Sequence, residues 1–492
     1  MAACRDSSEG GGELRKNKSV QKGFAAVKRR LFPLAATVLL AACLSGCSWF
    51  GMDAENLMQP PKPTGEREAI YQLLEAEAAS GFTLKYPVNG DYRSAIIMNQ
   101  NGEEAGEAIA FFQPSGENVS GISVIFMKKT DGVWSNVGTF NNPATQIDKV
   151  EFGDVNADGK SEIIIGWGNT DAGSSRLYVY SFEGRKVTEL NMDQSYAQMA
   201  VMDFDGDGYD EIFTAGLKVG EQPAVARLFR LRSGAIEIMG ECALDQEVTR
   251  YVNAVGGLVD ESQVGIVLDG RKSVNSMVTE ILYWDQRTQA LASPFLTRKE
   301  DGSGTVTYTA RDLEVLSKDV NGDKMIEFPI VSRLPGYTSQ NAAEVGNIIE
   351  WQRYDTATLM PERVMSTVNN SNDGYWFLIP DMWRGNITTV LDAEQRALTF
   401  YQWLPQETAE DENGVVTLGK RGDPLLEIRV FTAKQWDAQK GGGYFELLDN
   451  DNQVYAARLL ESGSMVTDGG VELPLSMTEE DVKNSFGLLS QD

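Results

Sequence analysis

The sequence predicts a mainly β fold, built as a propeller-like array of blades and followed by a small C-terminal α+β domain. Two observations carry this. A short acidic pattern recurs at Asn99, Asp154, Asp203, near Asp260 and at Asp319, at separations of roughly 50–60 residues. Each copy runs directly into a β-branched or aromatic stretch, such as Ile163-Ile164-Ile165 or Ile212-Phe213. Units of that length with several short strands each are the signature of blades or a similar β array.

Before the array, Glu66 to Ala79 reads as a helix, with Ile70, Leu73 and Leu74 on one face and Gly81 just past its end. Thr64 is its expected N-cap. The helical segment is assigned to residues 66–81 and the blades to 82–370. Further strands are readable inside the units, for example Ser175–Tyr180 and Val225–Arg230.

The clearest copies of the pattern are Asp154-Val-Asn156-Ala-Asp158-Gly159-Lys160-Ser-Glu162 and Asp203-Phe-Asp205-Gly-Asp207-Gly208-Tyr209-Asp210-Glu211. A third, Asp319-Val-Asn321-Gly-Asp323-Lys324-Met325-Ile-Glu327, has lysine at its sixth place. Oxygen ligands at positions 1, 3 and 5 can converge on one hard cation. Position 6 must bend sharply, position 7 can offer a carbonyl, and a carboxylate at position 9 closes the shell. Carboxylates this close repel each other unless a cation sits among them. The competing reading is an Asx-rich tight turn with no ion. Lys324 introduces strain and positive charge in the third copy. The copy at Asn99 has lost two carboxylates and is expected to bind no metal, and the one near Asp260 is worn and shortened.

An EF-hand needs a bidentate glutamate at position 12. Here that place is Ile165 or Thr214, so these are loops between strands. They resemble the FG-GAP/VCBS-type repeats of bacterial surface proteins, which are similar to the calcium loops of integrin α-chain propellers. The resemblance covers roughly Phe82 to Thr367 and implies a β-propeller with Ca2+ between strands of a blade. It implies side-chain ligands Asp154, Asn156, Asp158 and Glu162 with the Lys160 carbonyl, and Asp203, Asp205, Asp207 and Glu211 with the Tyr209 carbonyl. The corresponding third set is Asp319, Asn321, Asp323 and Glu327 with Met325.

The N-terminus has its own logic. A basic cluster ending in Lys28-Arg29-Arg30 precedes an apolar run from Leu31 to about Leu44, too short to span a bilayer. Leu44-Ser45-Gly46-Cys47 follows and resembles the lipobox of bacterial lipoproteins, which implies a signal peptide over 1–46 and a diacyl lipid on Cys47. Cys43 fits the same pattern and stands as the alternative. The stretch before Lys16 is unlike a signal peptide and suggests a start downstream of Met1. Residues 47–65, with Pro60, Pro61 and Pro63, read as a stiff tether. The expected location is the extracytoplasmic face of a membrane.

Composition narrows the function. With 71 Asp and Glu against 44 Lys and Arg, the net charge is −27, which disfavours nucleic acid as a partner. The absence of histidine excludes Ser-His-Asp and Cys-His catalysis and every histidine zinc site. Cys242 is the one thiol in the body and reads as a buried small hydrophobe. Residues 371–492 are assigned to a separate small domain, since Asn369 to Gly374 reads as a polar break. Trp376, Trp383, Trp403 and Trp436 in that region are expected in the core rather than as a sugar platform. The leading functional reading is a non-enzymatic module that binds a protein or glycan, or scaffolds a complex. The alternative is a glycan-active enzyme that uses a carboxylate pair.

Overall fold

The computed structural model describes residues 65–78, 81–99, 106–115, 120–169, 174–299, 303–337, 344–411, 414–439, 442–450, 452–461, 463–466 and 472–489. The expected leader, the tether up to residue 64, Cys43, Cys47 and Thr64 lie outside these residues, as do residues 100–105 of the Asn99 copy. The chain divides into two units, Met1–Tyr71 and Gln72–Asp492. The described part of the first holds the start of a helix, Glu66–Glu77. No helix among the described residues is long and apolar enough to cross a membrane.

The second unit is mainly β, and its sheets follow one another as antiparallel meanders. Blade 1 comprises Ile96–Asn99, Glu107–Pro114, Ile122–Thr130 and Val133–Asn142, with Phe82–Leu84 beside the second strand. Blade 2 runs Gln146–Gly153, Glu162–Gly168, Ser175–Glu183 and Lys186–Tyr196. Blade 3 runs Gln198–Met202, Glu211–Ala215, Val225–Arg232 and Ala235–Ala243, and blade 4 runs Arg250–Leu258, Val264–Ser273, Ser276–Asp285 and Ala290–Ala292. Blade 5 contains Phe328–Arg333, Asn347–Asp355, Met360–Asn370 and Tyr375–Leu378.

The period-two alternation of strand side chains stacks these blades face to face. In Glu162–Gly168 every residue is buried. Ile163, Ile165 and Trp167 pack with Phe111 and Phe126 of blade 1, whereas Ile164 packs with Ile212 and Phe229 of blade 3. The pattern repeats down the chain. Ile212 faces back toward blade 2, and Phe213 and Ala215 face forward to Leu268 and Leu282 of blade 4. Val267 and Ile281 then meet Phe328 and Tyr354 of blade 5. A strand buried on both faces reads as a continuous apolar run. Each such side chain contributes about 1.5–3 kcal/mol on burial.

One expected boundary is corrected. Asn369 to Gly374 is a tight turn rather than a break between domains. The N–H groups of Asp373 and Gly374 donate to the Asn370 carbonyl (3.2 and 2.9 Å), and Gly374 supplies a φ of +74°. Tyr375–Leu378 therefore pairs back on Met360–Asn370, with Asn369 opposite Trp376. Near the C-terminus, Phe486–Leu488 returns to the same sheet beside Tyr375–Phe377. Fold units 82–370 and 371–492 thus share a blade. Residues 387–459 form a further five-stranded sheet, and its Phe400, Ile428 and Val430 pack on Val368, Tyr375 and Phe377 of blade 5.

Candidate metal centres at the blade seams

The Asp154, Asp203 and Asp260 copies fall at one place in their blades, between the first strand and the next, and the Asp319 copy directly precedes the first strand of blade 5. Asp154–Glu162 links Gln146–Gly153 to Glu162–Gly168, and Asp203–Glu211 links Gln198–Met202 to Glu211–Ala215. The short Asp260 turn links Arg250–Leu258 to Val264–Ser273, and Asp319–Glu327 leads into Phe328–Arg333.

The loops share an internal wiring. The first aspartate accepts main-chain N–H bonds from deeper in the turn. Asp203 takes them from Gly206 (2.7 Å) and Gly208 (2.9 Å), Asp319 from Gly322 (2.7 Å) and Lys324 (2.9 Å), and Asp154 from Asp158 (3.1 Å) and Gly159 (2.9 Å). Position 3 accepts from position 5: Asn156 from Asp158 (2.9 Å), Asp205 from Asp207 (3.0 Å) and Asn321 from Asp323 (3.0 Å). Position 5 accepts from Lys160 (2.9 Å), Tyr209 (3.0 Å) and Met325 (2.9 Å). Gly159, Gly208 and Lys324 all have positive φ, 83°, 91° and 72°. Lysine pays the steric cost of that region where the other two loops use glycine.

The closing glutamate is the most constrained group. Glu162, Glu211 and Glu327 are almost fully buried. Glu211 accepts the Phe204 N–H (2.9 Å) and Glu327 the Val320 N–H (3.0 Å). Burial, then the neighbouring Asp205, Asp207 and Asp203 charges, push the Glu211 carboxyl up to about 8. Burial with Asp158 and Asp154 pushes Glu162 up to about 7, and burial with Asp323 and Asp319 pushes Glu327 up to about 7. Glu327 Oε1 is buried with no hydrogen-bond partner.

The expected ligand sets are brought together unequally. Carboxylate oxygens of Asp203, Asp205 and Glu211 lie within 4.8 Å of one another, which no other acidic group among the described residues matches. Asp207 stands outside that cluster. In the first loop Asn156 donates its amide to Glu162 (2.8 Å). In the third, Asn321 donates to Asp323 (2.8 Å), and the Arg353 guanidinium lies 3.9 Å from Asp323. The converging carboxylate trio of the second loop suits a hard divalent cation such as Ca2+, and the first and third loops each hold an orphaned buried carboxylate oxygen, on Glu162 and Glu327. The second loop fits best, and the third is partly served by Arg353.

Sequence reasoning missed the partners across blades. Asp210 binds the main chain of Asp154, Thr356 N–H donates to Asp260 Oδ2 (3.0 Å), and the Gln286 amide bonds the Asp205 carbonyl. Asp210 and Asp260 were visible as acidic residues of the pattern. Nothing in their spacing marks a contact to another blade.

Two buried ionic networks in blade 4 were also unforeseen. Asp269 accepts from Arg311 Nη2 (2.8 Å), Thr279 (2.5 Å), the Ser317 N–H (2.7 Å) and Asn253 (2.9 Å). Asp245 pairs with Lys272 (2.7 Å), while Glu280 accepts from Tyr251 (2.8 Å) and is pushed up to about 7 by burial. Cys242 is buried as expected, and burial pushes its thiol up to about 12.

Successive antiparallel blades of four or five strands, with acidic loops at their seams, define a protein of β-propeller type. Residues 154–214, which hold the first two loops, match the family model of the FG-GAP-like repeat. No curated protein sequence matches the chain. Among solved structures the chain is similar to the rhamnogalacturonan lyase PL11 of Bacillus licheniformis (10% identity, 76% of this chain and 89% of that one, TM-score 0.27). It is also similar to Sqt1 of Saccharomyces cerevisiae (9% identity, 76% and 86%, TM-score 0.29) and to the Dos1 propeller (10% identity, 74% and 81%, TM-score 0.27).

Proposed function

We propose that this chain is a lipoprotein, anchored through Cys47 at the extracytoplasmic face of a membrane, whose Ca2+-stabilised blades act as a non-enzymatic binding or scaffold module for a protein or glycan. The observation that carries the metal part is the convergence of Asp203, Asp205 and Glu211 within 4.8 Å, with Glu211 buried. Three ionised carboxylates in that space are strongly unfavourable without a cation. The ion would be held by Asp203, Asp205, Asp207, Glu211 and the Tyr209 carbonyl, and correspondingly by the Asp154 and Asp319 loops. It would rigidify the turn rather than react.

The non-enzymatic reading is supported by how the acids in a cleft beside blade 5 are occupied. Glu314 pairs with Arg271 (2.7 Å), Asp373 pairs with Arg396 (2.6 Å), and Glu344 accepts the Ser371 N–H (3.0 Å). The fourth acid of the lining, Asp319, accepts the Gly322 and Lys324 N–H groups of its own loop (2.7 and 2.9 Å), so none of the four is left as a ready acid or nucleophile.

Calorimetric titration of the metal-stripped protein with Ca2+ tests the metal part. Binding that weakens at least tenfold in Asp205→Asn is expected, and no binding heat in the parent protein would refute it. Metabolic labelling with a fatty-acid analogue tests the anchor: Cys47→Ser should abolish the label and Cys43→Ser should retain it. The opposite result would move the lipid to Cys43.

A further inference from the structure

A cleft of about 840 Å³ is lined by one face of blade 5, by the segment that leads into that blade and by residues of the C-terminal sheet. Its floor is set by strand alternation. Met365, Thr367 and Asn369 project from one strand, and Trp376 stands directly opposite Asn369 on the next. Trp376 in turn sits opposite Gly487, and a Cβ added at Gly487 would collide with the indole. The glycine thus lets the ring lie against the main chain, which backs it as a rigid platform while it remains partly exposed in the cleft.

The polar groups around this ring are not equivalent. The acids are already engaged, as described above. The donors are not. Asn369 is 8% exposed, its Oδ1 accepts the Thr367 hydroxyl (3.2 Å), and its amide nitrogen has no partner among the described residues. The Lys318 ammonium and the Trp376 indole N–H likewise line the cleft without a partner among the described residues. That nitrogen is open to solvent, so the cleft presents it to a ligand's acceptor. The cleft therefore offers a flat aromatic face beside a set of free donors.

We propose that this cleft is a carbohydrate-binding site, in which a sugar ring lies on the Trp376 indole and its hydroxyl oxygens accept from Asn369 and Lys318. A pyranose presents an apolar C–H face for the ring and hydroxyls at its edge, which matches a cleft that pairs one aromatic platform with donors. A nucleic acid would meet the repulsion of a −27 chain. A purely apolar ligand would leave Asn369 and Lys318 unpaired. The inference deepens the binding-module reading by giving it a site and a ligand class.

The test is calorimetric titration of the full chain with cellohexaose, chitohexaose and hexagalacturonate, a neutral, an N-acetylated and a uronate probe, in excess Ca2+ and again in chelator. Binding of at least one probe is expected, weakened by roughly tenfold or more in Trp376→Ala and in Asn369→Ala. Trp376→Phe, which keeps the platform, should retain most of it and controls for folding, together with an unchanged melting temperature. No binding of any probe at millimolar concentration, or equal binding by the folded Trp376→Ala protein, overturns the proposal. Sugar binding that fails while Ca2+ still raises the melting temperature removes the cleft assignment alone. Sugar binding that persists with no Ca2+ effect removes the metal reading alone.

Discussion

The main-chain N–H of Asp154 donates to Oδ2 of Asp210 (3.0 Å), and the N–H of Asp210 donates back to the carbonyl of Asp154 (3.1 Å). The first residue of one acidic loop and the eighth of the next therefore hold each other across two blades. Similar bonds recur along the same seam. Leu231 N–H donates to the Val155 carbonyl (2.9 Å), and Ile326 N–H donates to the Leu258 carbonyl (2.8 Å). The loops thus join neighbouring blades as well as the strands within one blade. An ion that orders a loop would be felt in the packing between blades.

Asp210→Ala should show this directly. It leaves the Asp154 N–H unpaired in a part-buried place, which costs about 1–3 kcal/mol. The urea midpoint should fall, and Ca2+ affinity at the Asp154 loop should fall with it, although Asp210 is no ligand of that loop. An unchanged midpoint would mean that the cross-blade pair is incidental.

Stability without metal should depend on pH through the closing glutamates. Glu162, Glu211 and Glu327 are held at about 7, 8 and 7, above an ordinary glutamate at 4.5. The folded chain therefore keeps protons that the unfolded chain has lost. The stabilisation is full below about pH 4.5 and is lost as pH rises through 7 to 8. These three groups should lower the melting temperature of the chelated protein across that window. Ca2+ binds the ionised carboxylates and should flatten or reverse the trend. A melting temperature in chelator that rises from pH 5 to pH 8 would contradict the burial of these groups.

Lys324→Gly should stabilise the third loop. Lys324 holds φ at +72°, where a Cβ costs about 1–2 kcal/mol. The gain is reduced by the greater freedom of glycine in the unfolded chain. A rise in the denaturation midpoint is expected, together with tighter Ca2+ binding because a positive charge leaves the site. Lys324→Ala separates the two effects, since it removes the charge and keeps the strain.

The Asp269–Arg311 pair offers an independent check on blade 4. Both side chains are fully buried, and burial pulls the Arg311 guanidinium below its usual range despite Asp269. Asp269→Asn should cost about 3–5 kcal/mol by leaving a buried guanidinium uncompensated. Arg311→Met should cost a similar amount, and the double variant less than the sum of the two. Additive losses in urea denaturation would show that the two residues act separately.

Much of this architecture was legible because its signals are local. The Asp154, Asp203 and Asp319 loops announce themselves through aspartate spacing and position-6 bends, and the apolar runs after them are strands buried on both faces. The turn at Asn370 to Gly374 was misread because a polar, glycine-ended stretch looks alike whether it links domains or reverses a hairpin. What distinguishes the two is the distant strand Phe486–Leu488, which pairs with Tyr375–Phe377. Of the four C-terminal tryptophans, Trp383 and Trp403 are in the core as expected, and Trp436 packs beside Phe431. Trp376 differs because Gly487, more than a hundred residues away in sequence, leaves it room. Asp210, Thr356 and Arg311 act through partners in other strands or blades, which no local pattern encodes.

Thermal unfolding of the parent protein and Glu211→Gln, each in excess Ca2+ and in chelator above pH 8, tests the metal-stabilised seam most directly. The parent should melt markedly lower in chelator than in Ca2+. Glu211→Gln removes a buried charge and should melt higher than the parent in chelator, yet gain less from Ca2+. Equal melting temperatures for the parent with and without Ca2+ would contradict the account.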